Sequence, residues 1–370
     1  MTDLPEIIKG DGVVLRAPRP TDAPDVARAL GDEETSRYLA SVPHPVTLEW
    51  AEGWVGASSL AIWEHGVTRY VVTDPASGEL LGGVGLRRVQ HDRLQAETGY
   101  WTAPWARGRG VATAATTALA GAAFEAGFAR LEALAEWSNI SSQRVALAAG
   151  FKREGVRRGA GTAPDGSRYD LIAFARLRND PAGPIRRVIP DLPGGFLTDG
   201  VIKIRPLYTA DADHMYDLHT LPEVLETSVG AVTTREEFKQ RAERSFPMWL
   251  AGERADMLIF DAVTGDFAGD IGFWYGEPMT GQGMIGYALM PAHRGRGFAT
   301  RAANLVATWL FETVGVERLI AGTEPNNTNS QKVLERAGFT REAFLKSRLP
   351  GNNDGERIDD IQFVRFPGDK

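Results

Sequence analysis

Pro104-Trp105-Ala106-Arg107-Gly108-Arg109-Gly110-Val111-Ala112-Thr113 returns later in the chain as Pro291-Ala292-His293-Arg294-Gly295-Arg296-Gly297-Phe298-Ala299-Thr300. Seven of the ten positions are identical, and the copies lie 187 residues apart. Further out, Ser142 to Phe151 matches Ser330 to Phe339 at six of ten positions, with an offset of 188. Leu15-Arg16 parallels Ile204-Arg205, and Arg168-Tyr169-Asp170 parallels Arg357-Ile358-Asp359 at an offset of 189. Four matches in one order mean a duplicated domain, since a solenoid would repeat every 20–50 residues or so. Asp22 and Asp211 follow the first pair of matches at positions suited to capping a helix.

The length agrees. A chain of 370 residues makes two domains at roughly 100–200 residues each. Between the copies, Asp180 to Gly195 holds four prolines and three glycines, a composition that sustains neither a helix nor a central strand. The expected division is therefore 1–180, a linker over 181–195, with Ile185 to Ile189 free to pack on one domain, and 196–370. Apolar residues at 43% and charged residues at 24% suit globular cores. The absence of cysteine excludes disulfides, a thiolate nucleophile and cysteine-bound metal. A net charge of −7 without a basic patch speaks against a nucleic-acid partner. The acidic balance favours a cationic partner mildly, or simply solubility. No apolar run approaches about 18 residues, so no membrane span is expected. The first residues show no basic region followed by an apolar run, which makes the cytoplasm the expected location.

Each copy has the same local pattern. Residues 94–102 and 282–290 carry β-type side chains, among them Tyr100, Trp101, Thr102, Tyr287 and Leu289. After the glycine turn, Val111, Ala115, Ala118, Leu119 and Ala122 recur at helical spacing, as do Phe298, Ala302, Leu305, Val306, Trp309 and Leu310. Leu131, Ala133 and Ala135 then alternate like a strand, as do Leu319, Ala321 and Thr323. A second helix opens near Ser141 or Asn329 and stops at Gly150 or Gly338, where glycine suits a left-handed cap.

The turn itself suggests chemistry. A helix presents unpaired N–H groups at its start, at the positive end of its dipole. Glycine removes the Cβ that would keep a phosphate from them, and flanking arginines add forked donors. A tight strand-to-helix turn explains one copy equally well; two copies, each behind a Gly-Tyr strand, favour a pyrophosphate. A P-loop needs Lys-Ser/Thr after its last glycine, where Val111-Ala112 and Phe298-Ala299 stand. A dinucleotide fingerprint fails as well, because Ala112 and Ala299 arrive one position early.

These motifs together resemble the GNAT acyltransferase superfamily: Arg-x-x-Gly-x-Gly/Ala opening a helix, then Asn139-Ile140-Ser141-Ser142 or Asn327-Thr328-Asn329-Ser330, then Gly150-Phe151 or Gly338-Phe339. Gly99-Tyr100-Trp101-Thr102 ahead of the turn is similar to the RimJ/RimL branch, whose members acetylate protein N-termini or small amines. The resemblance implies an α/β (α+β) fold of two tandem domains. Each would have a mixed, splayed sheet of six to seven strands flanked by helices. It implies acetyl-CoA as donor, with pantetheine in the gap between the fourth and fifth strands. Arg107, Gly108, Arg109, Gly110, Val111, Ala112 and Thr113 would hold the diphosphate, as would Arg294, Gly295, Arg296, Gly297, Phe298, Ala299 and Thr300. Tyr100, Trp101 and Thr102, with Tyr287, Ala288, Leu289 and Met290, would line pantetheine. Asn139 and Ser142, and Asn327 and Ser330, would face the thioester. Ordinary homodimers of the family suggest that the fusion mimics a dimer, itself monomeric or homodimeric.

Acyl transfer to an amine requires a neutral amine, a polarised carbonyl and a stabilised thiolate. Glu97, Glu136 and Glu324 are the candidate bases, and the first two are expected to point into the gap. A solvated strand position explains Glu97 as well. Its counterpart is Met284, so the first copy alone holds two candidate carboxylates and is favoured as the active one. Many family members place a tyrosine acid where Ala146 and Leu334 stand here, which leaves Ser142 and Ser330 as donors or as helix caps. His44, His91, His214 and His219 read as structural or surface residues, while His293 adjoins the second turn. Trp50, Trp54 and Trp63 fall where the family builds its acceptor pocket, though core packing explains the pair one turn apart. The expectation is an N-acetyltransferase acting on a small-molecule or peptide amine, without a metal. A carrier-protein or aminoacyl-tRNA donor, and a CoA-binding protein without turnover, remain the alternatives.

Overall fold

The computed structural model describes residues 4–56, 68–226, 234–351 and 356–369. The chain divides into two units, Met1–Arg186 and Arg187–Lys370. In the first, β1 (Ile7–Gly10) and β2 (Val13–Arg16) precede α1 (Ala23–Leu30), α2 (Glu33–Ser36) and α3 (Leu48–Gly56). Next come β3 (Thr68–Thr73), β4 (Leu80–Gln90), β5 (Gln95–Thr102), α4 (Val111–Glu125) and β6 (Arg130–Ala135). The unit closes with α5 (Ile140–Ala148), β7 (Lys152–Thr162) and β8 (Arg168–Leu177). Its sheet has the order β1-β2-β3-β4-β5-β6-β8-β7.

The second unit repeats this plan. It opens with β9 (Leu197–Thr198), β10 (Ile202–Pro206), α6 (Ala212–His219), α7 (Pro222–Leu225) and α8 (Arg235–Ala251). Then follow β11 (Arg254–Asp261), β12 (Phe267–Glu277), β13 (Gln282–Leu289), α9 (Phe298–Trp309) and β14 (Arg318–Thr323). The last elements are α10 (Thr328–Arg336), β15 (Thr340–Pro350) and β16 (Arg357–Arg365), in a sheet ordered β15-β16-β14-β13-β12-β11-β10-β9. Eight strands stand in each sheet where six to seven were expected. β1 and β9, of four and two residues, are too short to show a period-two pattern.

Small side chains let α4 lie close to its sheet: Ala115, Leu119, Ala120 and Ala123 are fully buried. α9 uses bulk instead, burying Phe298, Val306 and Trp309, with the Trp309 ring 5.7 Å from that of Trp249 on α8. Each such large side chain removed from water contributes roughly 1.5–3 kcal/mol. The glycines ending α5 and α10 take φ of +84° and +75°. Phe151 N–H then donates to Ala146 O at 2.9 Å, and Phe339 N–H to Leu334 O at 3.0 Å, completing the left-handed cap.

Asp22 and Asp211 do not cap by accepting from the helix that follows. Asp22 receives the Arg16 fork at 2.8 Å on both oxygens and the Arg19 N–H at 2.7 Å. Asp211 does the same with Arg205, at 2.7 Å twice, and with Tyr208 N–H at 3.0 Å. The sequence match around Arg16 and Arg205 is thus a half-buried ion pair that fixes the turn into the first helix.

The proline-rich stretch is partly core. Ile185 N–H donates to Leu147 O at 2.9 Å in the first unit. Ile189 and Leu192 are buried in the second unit, where Pro190 O accepts from Trp249 Nε1 at 3.0 Å. Proline and glycine leave room there for only a short 3-10 turn, Pro193–Gly195, and they do not exclude burial. Among the described residues no helix is long and apolar enough to cross a membrane.

Candidate active site

The glycine turns have one conformation in both units. Gly108 and Gly110 have φ of +72° and +75°, and Gly295 and Gly297 have +72° and +79°. Side chains rarely adopt such angles, and a Cβ at any of the four would meet no heavy atom within 4 Å. The space is therefore clear in front of the first N–H groups of α4 and α9, a cradle suited to a diphosphate. The arginines are more committed than the sequence suggested. Arg107 binds Asp32, and also Glu34 and Thr35 Oγ1 at 2.6 and 2.7 Å. Arg296 binds buried Asp261 at 2.8 Å, and Arg294 donates to Leu289 O at 3.0 Å. Main-chain donors, more than free guanidinium charge, make the cradle.

The splay follows from register. β5 and β6 run parallel and pair only at Gln95, Ala96 and Glu97, so Thr98 to Thr102 face the gap as an unpaired edge. β13 and β14 pair only at Gln282, Gly283 and Met284, leaving Ile285 to Leu289 open in the same way. The parting strands are the fifth and sixth of each eight-stranded sheet.

Asn139 and Asn327 cap helices: their Oδ1 atoms accept from Ser142 N–H at 3.0 Å and Ser330 N–H at 3.1 Å. The serine hydroxyls, freed from capping, meet tyrosines. Tyr100 Oη lies 3.0 Å from Ser142 Oγ and donates to Ser142 O at 2.9 Å; Tyr287 Oη lies 3.1 Å from Ser330 Oγ. Burial pushes both phenols up to about 12, against the pull of the serine hydrogen bonds. The sequence places Tyr100 and Ser142 in the site but gives no sign of this pairing across 42 positions.

The carboxylates depart from expectation. Glu97 is 3% exposed and does not line the cavity at the gap. It accepts from Arg87 Nε at 2.8 Å and Arg88 Nη1 at 2.9 Å. Arg87 is its direct cross-strand partner, and an irregularity in the β4–β5 pairing beyond Arg87, with Arg88 at φ +49°, brings the second arginine onto it. Two guanidinium groups therefore occupy both of its oxygens. Glu136 also lies outside the cavity wall; its charge and hydrogen bond act on the Tyr169 phenol. Glu324 is half-buried, and burial alone raises its carboxyl above the ordinary value. His293 packs its ring 5.6 Å from Phe298 and is buried, a packing role at the helix start. Among the described residues no group of three or more His, Asp or Glu is placed to hold a metal.

A cavity of about 770 Å³ runs along the splay of the first unit, from Gly108, Gly110 and Val111 past Tyr100 and Ser142 to Trp54 and Trp101. Trp54 on α3 stands edge-on to Trp101 at 6.3 Å, so it serves both the core and the cavity wall. Trp50 packs beside it, and Trp63 lies outside the described residues. On the face below α3, Arg69, Gly85 and Gly99 form one row across β3, β4 and β5. The matching row of the second unit is Asp256, Gly272 and Gly286. There a Cβ at either glycine would meet the Trp274 ring, at 3.0 and 3.3 Å. One row further along, Gly83 leaves room for the Trp101 indole, whereas the second unit has Asp270 facing Ala288. Asp270 accepts from Ala288 N–H at 3.1 Å and holds His219 Nε2 at 2.8 Å, so His219 is a paired structural residue.

A splayed mixed sheet, an open strand edge and a glycine cradle at a helix start define the acyltransferase class that the sequence resembles. A family model described as the acetyltransferase (GNAT) domain matches twice, over residues 13–152 and 202–340, and the chain belongs to that family. The probable N-acetyltransferase YjcK of Bacillus subtilis is 40% identical over 68 residues, covering 18% of this chain and 38% of that protein. The uncharacterised N-acetyltransferase YnaD of Bacillus subtilis is 27% identical over 147 residues, 40% of this chain and 78% of that one. A solved ribosomal-protein-S5-alanine acetyltransferase from Vibrio fischeri aligns over 47% of this chain and 97% of its own, at 22% identity and a TM-score of 0.43.

Proposed function

We propose that the first unit transfers an acetyl group from acetyl-CoA to a primary amine by direct attack. The continuous cavity from the glycine cradle to the Trp54–Trp101 wall carries this reading. The N–H groups of Val111, Ala112 and Thr113 would hold the diphosphate, and the open edge of Thr98 to Thr102 would pair with the pantetheine amides. The amine nitrogen attacks the thioester carbonyl carbon, the C–S bond breaks, and the thiolate takes up the proton that the nitrogen sheds. With its phenol pushed up to about 12, Tyr100 keeps its proton at working pH. It does not act as base; its O–H holds Ser142 in place, and the Ser142 hydroxyl donates a hydrogen bond to the sulfur. Before that attack, the protonated amine gives one proton to solvent, directly or through water, since Glu97 and Glu136 are engaged elsewhere.

For the second unit we propose CoA binding without acceptor turnover. It keeps the cradle and the open edge, while Trp274 covers the floor on which an acceptor would lie.

Thiol release tests both readings cleanly, because the chain has no cysteine and every thiol detected comes from CoA. With acetyl-CoA and a panel of primary amines, one thiol per acetyl amide formed is expected. Calorimetry should find CoA bound twice per chain. Two binding events with no amine acetylated would leave a CoA sensor; no binding at all would remove the cradle argument.

A further inference from the structure

We propose that the acceptor amine of the first unit also carries an anionic group, a carboxylate or a phosphate, and that Arg69 receives it. The inference rests on the acetyl-transfer reading and adds the class of acceptor.

Arg69 projects from β3 on the cavity side, in register with Gly85 and Gly99. Neither glycine has a side chain to obstruct it, so the guanidinium has a bare floor beside the opening edge of β5. It is half-buried, and burial pushes it below its ordinary pKa. A guanidinium drawn from water normally finds a carboxylate. Two other arginines of the wall show this: Arg87 serves Glu97, and Arg107 serves Asp32 and Glu34. Among the described residues, Arg69 has no hydrogen-bond or ion-pair partner, and its guanidinium lies 5.5 Å from the Trp54 ring centre. Stacking leaves its N–H fork unused, and that fork fits a planar carboxylate or two phosphate oxygens. Glu34 is the carboxylate of the described cavity wall, and Arg107 neutralises it, so nothing there favours a polycation.

The second unit supports the assignment by contrast. Asp256 stands at the place of Arg69, is 5% exposed, and is neutralised from within by Arg254 at 2.7 Å and Arg241 at 3.8 Å. Its floor is covered and its charge is balanced. In the first unit, among the described residues, the floor is bare and the charge is open.

Matched amines test the idea on the full chain: an aromatic α-amino acid against its carboxamide, and phosphoethanolamine against ethanolamine. Thiol release should show KM at least about tenfold lower for the anionic member of one pair, in line with a charged hydrogen bond. Which pair discriminates tells carboxylate from phosphate. Arg69→Gln should raise that KM about 10–100-fold, leave the neutral partner within about twofold, and leave CoA affinity unchanged. Arg69→Lys should keep part of the preference, which separates lost charge from lost packing should the glutamine variant melt early. Equal use of both members in both pairs, or equal loss for both in Arg69→Gln, overturns the proposal. If no amine is acetylated, the acetyl-transfer reading fails by itself. Calorimetry of the same pairs on CoA-saturated protein then decides: anionic binding abolished by Arg69→Gln upholds the assignment, and binding indifferent to Arg69 refutes it.

Discussion

Arg69-Gly85-Gly99 in the first unit and Asp256-Gly272-Gly286 in the second occupy the same row of the same sheet, yet they do opposite things. Among the described residues, one row lies bare under an unpaired cation; the other lies under an indole, with its carboxylate paired. The glycine cradles, by contrast, agree to within a few degrees of φ. The contrast has a physical origin. A phosphate cradle is built from backbone N–H groups, so drift in neighbouring side chains leaves it intact. An acceptor surface is built from side chains, so a few substitutions close it. On the proposed function, duplication preserves the donor site and frees the acceptor site to change.

Three sets of substitutions probe this comparison. The largest effect is expected at the device both units share. Asp22→Asn or Asp211→Asn leaves a half-buried arginine without its carboxylate, and each should cost about 3 kcal/mol in its own unit. Hydrogen exchange resolved by unit would show this, and a loss spread over both units would contradict independent copies. Burial opposes ionisation of Asp22, but the Arg16 and Arg19 bonds prevail and hold its carboxyl below the usual range. That stabilisation is fully present above the unfolded carboxyl value of about 4, and it fades as pH falls through the lower folded value. The gap between Asp22→Asn and the parent should therefore close in acid.

Next in size is a deliberate conversion of one floor into the other. A Cβ at Gly99 meets only Arg87, at 3.9 Å, so Gly99→Leu is tolerated and its side chain covers the bare row. Turnover should fall about 100-fold through acceptor misplacement, with CoA affinity retained. Unchanged kcat/KM would show that the acceptor does not use this floor.

The smallest effect concerns the tyrosines. Tyr100→Phe removes one hydrogen-bond donor beside Ser142 and should lower kcat about tenfold, without a tyrosine limb in the pH profile below about pH 10. Tyr287→Phe, its equivalent, should leave turnover unchanged if the second unit only binds. Equal losses from the two would make both units catalytic.

The sequence was most legible where a residue dictates its own backbone. Gly108, Gly110, Gly150 and their repeats mark left-handed positions whatever surrounds them, and the strand and helix limits followed within a residue or two. It was least legible where partners come from a neighbouring strand. Glu97 looked like a free base because Arg87 faces it only once β4 and β5 are in register, and Arg88 reaches it only through the irregular pairing beyond. Tyr100 and Ser142 were both singled out, yet their contact depends on how α5 lies over β5. Arg69 carried no local signal; its row with Gly85 and Gly99 exists only once three strands are aligned.

Two domains of one kind, their glycine cradles and their family were therefore settled by the order of residues, because repeats and positive-φ glycines are local properties of a chain. Which carboxylates are engaged, which phenol meets which hydroxyl, and which floor is open were decided by tertiary structure. Those properties depend on distances between residues far apart in sequence, fixed by strand register and helix placement.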